Sequence, residues 1–254
     1  MRLRGKVAII TGAGSGMGRA GCLRFAQEGA KVVAGDLNVQ TGEETVRMIK
    51  KAGGDATFVR VDVSKAAEVQ KMVDAAVKAY GGLHVLYNNA GILAAGDDYV
   101  ADLDEAVWDR VMGINLKGVF LGCKYGVPAI IKSGGGSIIN TASIAGVSAG
   151  GMTAYGTSKG GVLSLTRYVA RQYADKNVRC NAILPGPVVT NLQAERAAAG
   201  APASPRPKLL QPDPFLKRSA QPAEIINLAV FLASDESSYM TGASVAIDGG
   251  VTAV

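Results

Sequence analysis

A doubly wound α/β domain, one parallel sheet covered by helices on both faces, is predicted by three features of the sequence. Seven short apolar runs rich in Val and Ile alternate with helix-length amphipathic stretches, and the first run opens straight into a glycine-rich turn. The chain is also 254 residues long and 48% hydrophobic, enough for one large core. Strands buried on both faces read as nearly continuous apolar runs, and strict strand–helix alternation sets such strands side by side in parallel. No linker or repeat divides the chain, so residues 1–254 are read as a single domain.

The strands are read as KVAIIT (6–11), KVVAGD (31–36), ATFVRVDV (56–63), LHVLYNNAG (83–91), GSIINTAS (136–143), NVRCNAILPG (177–186) and ASVAID (243–248). Each is bounded by Gly, Asn or Asp, the usual strand punctuation. Helices are expected over 17–29, 40–52, 65–80, 103–132, 153–175 and 222–233. Ser64 is placed as the N-cap of the third, with Asp62 and Glu68 near its start. The alternation stops between Thr190 and Gln221. Residues 191–222 carry six of the nine prolines, and only 193–199 offers a helical turn or two. Long loops inside compact domains are often binding loops, so 191–220 is expected to be a substrate lid.

Composition narrows the function. The net charge is +6, but Lys and Arg are scattered and aromatics are only 6%, which argues against a nucleic-acid binder. Cys22, Cys123 and Cys180 lie far apart without a CxxC or a partner His. That pattern suggests a reducing compartment, no disulfide framework and no metal site. The N-terminal apolar run is too short for a signal peptide and no segment reaches membrane-spanning length, so a cytoplasmic protein is expected. The single histidine, His84, and the single tryptophan, Trp108, are read as a strand or surface position and a packing residue.

The turn after the first strand carries Gly12, Gly14, Gly16 and Gly18, with a helix from about Met17. Glycines there let the backbone approach a pyrophosphate, which then meets the N–H groups and positive end of the helix. Asp36 ends the second strand about twenty residues on, where a carboxylate can bond a ribose 2′-hydroxyl and repel a 2′-phosphate. Leu37 and Asn38 follow it with no Arg, and the turn holds Ser15 rather than a basic residue, so NAD is favoured over NADP. Asp62 and the pair Asn88-Asn89 stand at the ends of the third and fourth strands. Asn88 is read as structural, tying adjacent strands.

Tyr155 and Lys159 stand four residues apart on one predicted helix, twelve residues after Ser143. A phenol normally titrates near pH 10, and a cation one helical turn away would lower that value. Singly, such a pair is more often a surface contact, Ser143 more often a cap and Asn115 a solvated polar residue. Their joint appearance in an α/β frame points to proton transfer at an alcohol or ketone.

These motifs together resemble the short-chain dehydrogenase/reductase family: TGAGSGMG (11–18), Asp36, Asp62-Val63, NNAG (88–91), Asn115, Ser143, YGTSK (155–159), PGPVVT (185–190) and IDGG (247–250). The resemblance covers nearly the whole chain. It implies a Rossmann-like single-domain oxidoreductase, usually tetrameric, that moves a hydride between a nicotinamide cofactor and a small alcohol or ketone. It implies Tyr155 as acid/base, Lys159 tuning it and holding the nicotinamide ribose, Ser143 polarising the substrate oxygen, and Asn115 holding a relay water. It places Gly12, Ser15, Gly16, Met17, Gly18, Asp36, Leu37, Asp62, Val63, Asn89, Ala90, Gly91, Tyr155, Lys159, Pro185, Gly186, Val188 and Thr190 at the cofactor. An NADPH-dependent carbonyl or 3-oxoacyl-carrier reductase and an idle nucleotide sensor are the rival readings. Asp36 speaks against the first and the intact catalytic set against the second.

Overall fold

In a computed structural model, which describes residues 1–149, 152–192 and 213–253, seven strands form one parallel sheet. They are β1 (Val7–Thr11), β2 (Lys31–Asp36), β3 (Ala56–Arg60), β4 (Val85–Asn88), β5 (Gly136–Thr141), β6 (Val178–Pro185) and β7 (Ser244–Ile247). Their order is β3-β2-β1-β4-β5-β6-β7. The chain winds outward from β1 to β3, then crosses back to start β4 on the other side of β1. The connections leaving the paired strands β1 and β4 therefore run to opposite faces of the sheet, which opens a crevice at their carboxyl ends.

The helices are α1 (Gly16–Gln27), α2 (Val39–Lys51), α3 (Ala66–Tyr80), α4 (Glu105–Met112), α5 (Gly118–Lys132), α6 (Thr153–Tyr173) and α7 (Pro222–Ala233). Strand side chains alternate between two cores. Ala8, Ile10, Val32, Ala34, Val85 and Tyr87 pack with Cys22 and Phe25 of α1, Ile49 of α2 and Ile225 and Val230 of α7. Val7, Ile9, Val33 and Leu86 face the other way, onto Met72 of α3, Val127 of α5 and Val162 of α6. That two-sided burial is why the strands read as unbroken apolar runs. No helix of the described residues is long and apolar enough to cross a membrane.

Three local expectations need correction. The predicted 103–132 helix is interrupted by a π-helical turn at Gly113–Lys117, where one extra residue per turn rotates Asn115 into the interior. Strand β3 ends at Arg60, so Asp62 lies in the following loop. Ser64 does not cap α3; its amide and hydroxyl both donate to Asp62 Oδ1, at 2.9 and 2.7 Å. Lys65 is the cap residue and makes no side-chain capping bond.

Asn88 does tie strands together. Its Nδ2 donates to Asn140 Oδ1 on β5 at 2.9 Å, and Asn140 Nδ2 donates to Thr166 Oγ1 on α6 at 2.9 Å. His84 accepts from the Val7 amide through Nδ1 at 3.0 Å, a strand-edge role. Trp108 packs in a small apolar cluster around Ala94, Val111 and Ala154. Of the expected 191–220 lid, residues 193–212 lie outside the described residues, as do the helical turn expected at 193–199 and Gly150 and Gly151. The described flank is anchored: Val189 N donates to Ala220 O and Ala220 N to Pro187 O, both at 2.9 Å.

Candidate active site

A cleft of about 710 Å³ lies over the carboxyl ends of β1, β2, β3 and β4. Of the residues expected at the cofactor, Gly12, Ser15, Gly16, Met17, Gly18, Asp36, Leu37, Asp62, Val63, Asn89, Ala90, Gly91 and Thr190 line it. Tyr155, Lys159, Pro185, Gly186 and Val188 do not. Pro185 closes β6, Gly186 donates to Ile247 O at 3.1 Å, and Val188 bridges to Ala220, so these three brace the sheet end behind Thr190.

The β1–α1 turn is built by backbone geometry. Gly12 has φ +69°, a region that side chains disfavour. A Cβ on Gly18 would run into the Gly12 carbonyl. Ser15 caps α1 without a side-chain bond, and no acidic residue stands in the first turn. The leading N–H groups of α1 have no acceptor within the helix, and its positive end faces the cleft uncompensated. At the end of β2, Asp36 Oδ2 accepts from Gly14 N at 2.7 Å and Oδ1 from Asn38 N at 2.8 Å. The carboxylate is thus fixed with lone pairs to spare. Burial raises the Asp62 carboxyl, but the two bonds from Ser64, with Lys65 and Arg60 nearby, outweigh it and hold the group below its usual value.

Ser143, Tyr155 and Lys159 meet just beyond Gly91. A Cβ on Gly91 would stand 3.5 Å from Lys159 Nζ and 3.3 Å from Asn115 Oδ1, so this cleft-lining glycine packs directly against the lysine. Lys159 is buried, and its Nζ donates to the Thr141 carbonyl at 2.7 Å while lying 5.6 Å from the Tyr155 ring centre. Burial pulls its ammonium down to about 8. The Tyr155 phenol moves the opposite way from the expectation set by the lysine. Burial pushes it above its usual value, and the hydrogen bond from Ser143 only partly offsets that rise. The lysine ammonium is aimed at the Thr141 carbonyl, 5.6 Å from the ring centre, and does not override the desolvation. Ser143 Oγ also accepts from Ala145 N at 3.1 Å, so the capping role and the contact with Tyr155 coexist.

Asn115 is fully buried and its side chain is spent on the loop after β4. Its Oδ1 accepts from Ile92 N at 2.8 Å, and Nδ2 donates to Ile92 O at 3.0 Å and Ser158 Oγ at 3.4 Å. Both amide hydrogens of Asn115 are thus committed to protein acceptors.

Comparison with known proteins identifies the family. The family profile described as Enoyl-(Acyl carrier protein) reductase matches residues 12–252. The chain is 41% identical to the 2,5-dichloro-2,5-cyclohexadiene-1,4-diol dehydrogenase of Sphingobium indicum, covering 98% of this chain and 97% of that one. It is 38% identical to the cyclohexanol dehydrogenase of an Acinetobacter species, over 99% of this chain and 96% of the other. The crystal structure of a short-chain type dehydrogenase/reductase from Mycobacterium marinum superposes with a TM-score of 0.90 at 33% identity, covering 99% of this chain and 97% of that one. The chain belongs to the short-chain dehydrogenase/reductase family.

This short-chain dehydrogenase/reductase is accordingly an oxidoreductase of a nicotinamide-using family, and its cleft fits such a dinucleotide. The glycine turn offers the room and the N–H groups a pyrophosphate needs, Asp36 offers a ribose acceptor, and buried Asn89 Oδ1 in the cleft wall has no protein partner. Among the described residues no group of three or more His, Cys, Asp or Glu is arranged to hold a metal ion. Sequence reading passed over several lining residues, among them Gly35, Thr41, Val61, Ile92 and Ile114. Gly14 had been seen only as part of the turn. The apolar members carry no chemical signature and are brought in by strand register. Thr41 alone had a signal, sitting one turn into α2 behind Asp36. The close approach of Gly18 gives a direct test. Gly18→Ala should raise the Kd for NADH at least about tenfold in a fluorescence titration, because backbone meeting a new methyl has no rotamer to yield.

Proposed function

We propose that the protein is an NAD(H)-dependent oxidoreductase interconverting a secondary alcohol and a ketone, working as a cytoplasmic homotetramer on a small molecule. The observation that carries this reading is the meeting of Tyr155, Ser143 and Lys159 behind Gly91, beside the cleft that holds Asp36. A bound nicotinamide dinucleotide supplies the hydride acceptor or donor. Ser143 donates to the substrate oxygen and stabilises the charge that builds there. Tyr155, which burial keeps protonated at neutral pH, gives its proton to that oxygen in reduction and recovers it in oxidation. The Lys159 ammonium offsets the phenolate left behind. Asn115 holds Ile92, and so the Gly91 backbone, in register with this cluster.

The names of two relatives specify hydroxyls borne on a six-membered carbocycle, which makes a cyclic alcohol the first substrate class to try. The uncharged walls at Ile92, Ile114 and Leu192 suit such a ring. A second reading is reduction of a 3-oxoacyl group on a carrier protein, the reaction for which a 40% identical relative is named.

Parallel assays with NAD and NADP on cyclic alcohols, and with NADH and NADPH on ketones and a 3-oxoacyl thioester, separate these readings. Asp36 predicts a preference for NAD(H) of at least about a hundredfold in kcat/KM, since the alternative places a phosphate dianion against a fixed carboxylate. Asp36→Ala should shrink that preference below about tenfold. Equal use of both cofactors by the unaltered enzyme overturns the NAD assignment.

A further inference from the structure

The loop between β4 and α4 carries a buried carboxylate that the reaction scheme above leaves unused. Asp97 is 2% exposed. Its Oδ1 accepts from Ala154 N at 2.9 Å and its Oδ2 from Tyr155 N at 2.8 Å. Those two amides belong to the first turn of α6, the turn that bears the phenol, and they have no acceptor within the helix. The residue before α6, Met152, supplies no side-chain cap, so the cap comes from 57 residues upstream in sequence. Three further contacts join the same loop to α6. Thr153 Oγ1 donates to Asp98 O at 2.7 Å, Ala94 packs against Ala154, and Ile92 is tied through Asn115 to Ser158, whose hydroxyl donates to Tyr155 O at 2.7 Å.

We propose that Asp97 is a positioning residue for proton transfer: its bidentate bond to the Ala154 and Tyr155 amides fixes the helical turn from which the Tyr155 phenol reaches the substrate oxygen. The inference rests on the oxidoreductase reading above. An uncapped first turn frays, and a displacement of about 1 Å at a reacting group can cost on the order of a hundredfold in rate. The carboxylate is better suited than a neutral cap because each oxygen takes one N–H and its charge matches the helix end.

The test compares the unaltered enzyme with Asp97→Asn and Asp97→Ala, using cyclohexanol and NAD as the assay pair. It also measures NADH affinity by fluorescence and amide exchange of the 152–160 peptide by mass spectrometry. Asp97→Asn keeps the shape but turns an amide NH₂ toward one N–H, and kcat should fall about fivefold. With Asp97→Ala the fall should reach about thirtyfold. Exchange in the peptide should rise in the same order, while KM and the NADH Kd stay within twofold. If exchange rises but kcat stays within twofold, Asp97 is a cap without a positioning role and the inference fails. A rise in NADH Kd that matches the loss in kcat also overturns it, by showing general damage. Should the alanine variant not fold, the asparagine variant decides by the same criteria. An unaltered enzyme that oxidises no alcohol overturns the parent reading and this inference with it, whereas an active enzyme with indifferent variants overturns the inference alone.

Discussion

Tyr155→Phe is expected to cut kcat/KM by about a thousandfold while leaving the Kd for NADH within about twofold. The substitution removes one oxygen and keeps the ring, so packing around the first turn of α6 should survive. What disappears is the proton source for the substrate oxygen, and positioned acid/base groups contribute on the order of a hundred- to ten-thousandfold. The residual rate should fall further with Ser143→Ala, because the serine stabilises charge on the substrate oxygen whether or not the phenol is present. In the unaltered enzyme the direction of the phenol's displacement sets the pH behaviour. With the phenol held above its usual value by burial, ketone reduction should persist at neutral pH and alcohol oxidation should climb as pH rises. Steady-state assays in both directions across pH 6 to 10 check this, and a reduction rate that vanishes by neutrality would contradict the assigned acid.

Lys159→Met should lower kcat about a hundredfold or more, since it deletes the only cation set beside the Tyr155 ring among the described residues. Its effect on stability depends on pH in a way that identifies the group. In the unfolded chain the lysine titrates near 10.5, whereas burial brings the folded group to about 8. Below about 8 both states hold the proton and folding bears the full desolvation cost. Between about 8 and 10 the folded protein sheds the proton while the unfolded chain keeps it, so stability rises with pH, by roughly 2 kcal/mol. Above 10 the tyrosine reverses the trend, because its raised folded value means the unfolded chain loses that proton first. The Cys22 thiol, raised by burial, and the Cys180 thiol, raised by its contact with Cys123 and by burial, lower stability above about pH 9 in both proteins. Urea unfolding at pH 7, 8, 9 and 10 should therefore show the lysine's share as a gain of roughly 2 kcal/mol in the unaltered protein relative to Lys159→Met. The methionine variant should still bear a pH-independent penalty of about 1–3 kcal/mol from the buried Thr141 carbonyl left without its donor.

Much of the fold was legible because each layer of the sequence carried the same message. Alternating apolar runs and amphipathic stretches fixed the number and type of elements, and α7 was predicted with the bounds the structure gives it. What escaped was set by contacts distant in sequence. Nothing in the run 103–132 announces a π-helical turn, since the cause is Asn115 reaching across to Ile92. Ser64 looked like a cap because Ser before a helix usually is one, but Asp62 two residues earlier competes for its hydroxyl and amide. In the site, the glycines, Asp36 and the Tyr155–Lys159 spacing were readable because their chemistry is local. The direction in which the phenol is displaced was not, because it depends on how deeply two helices and a strand end enclose the ring. Asp97 was invisible for the same reason: one acid in the polar stretch GDDYVADLDE looks like its neighbours until the fold seats it on α6.

The amide rung from Asn88 through Asn140 to Thr166 has a consequence for how such enzymes diversify. It locks α6 to the middle of the sheet through Asn88 on β4, Asn140 on β5 and Thr166 on the helix itself. Segments that greet the substrate can therefore be exchanged between relatives as interchangeable tooling on a fixed chassis. A chimaera that imports another member's loop after β6 should keep the Tyr155 phenol in place, so long as those three polar side chains and the loop after β4, which carries Asp97, remain the recipient's.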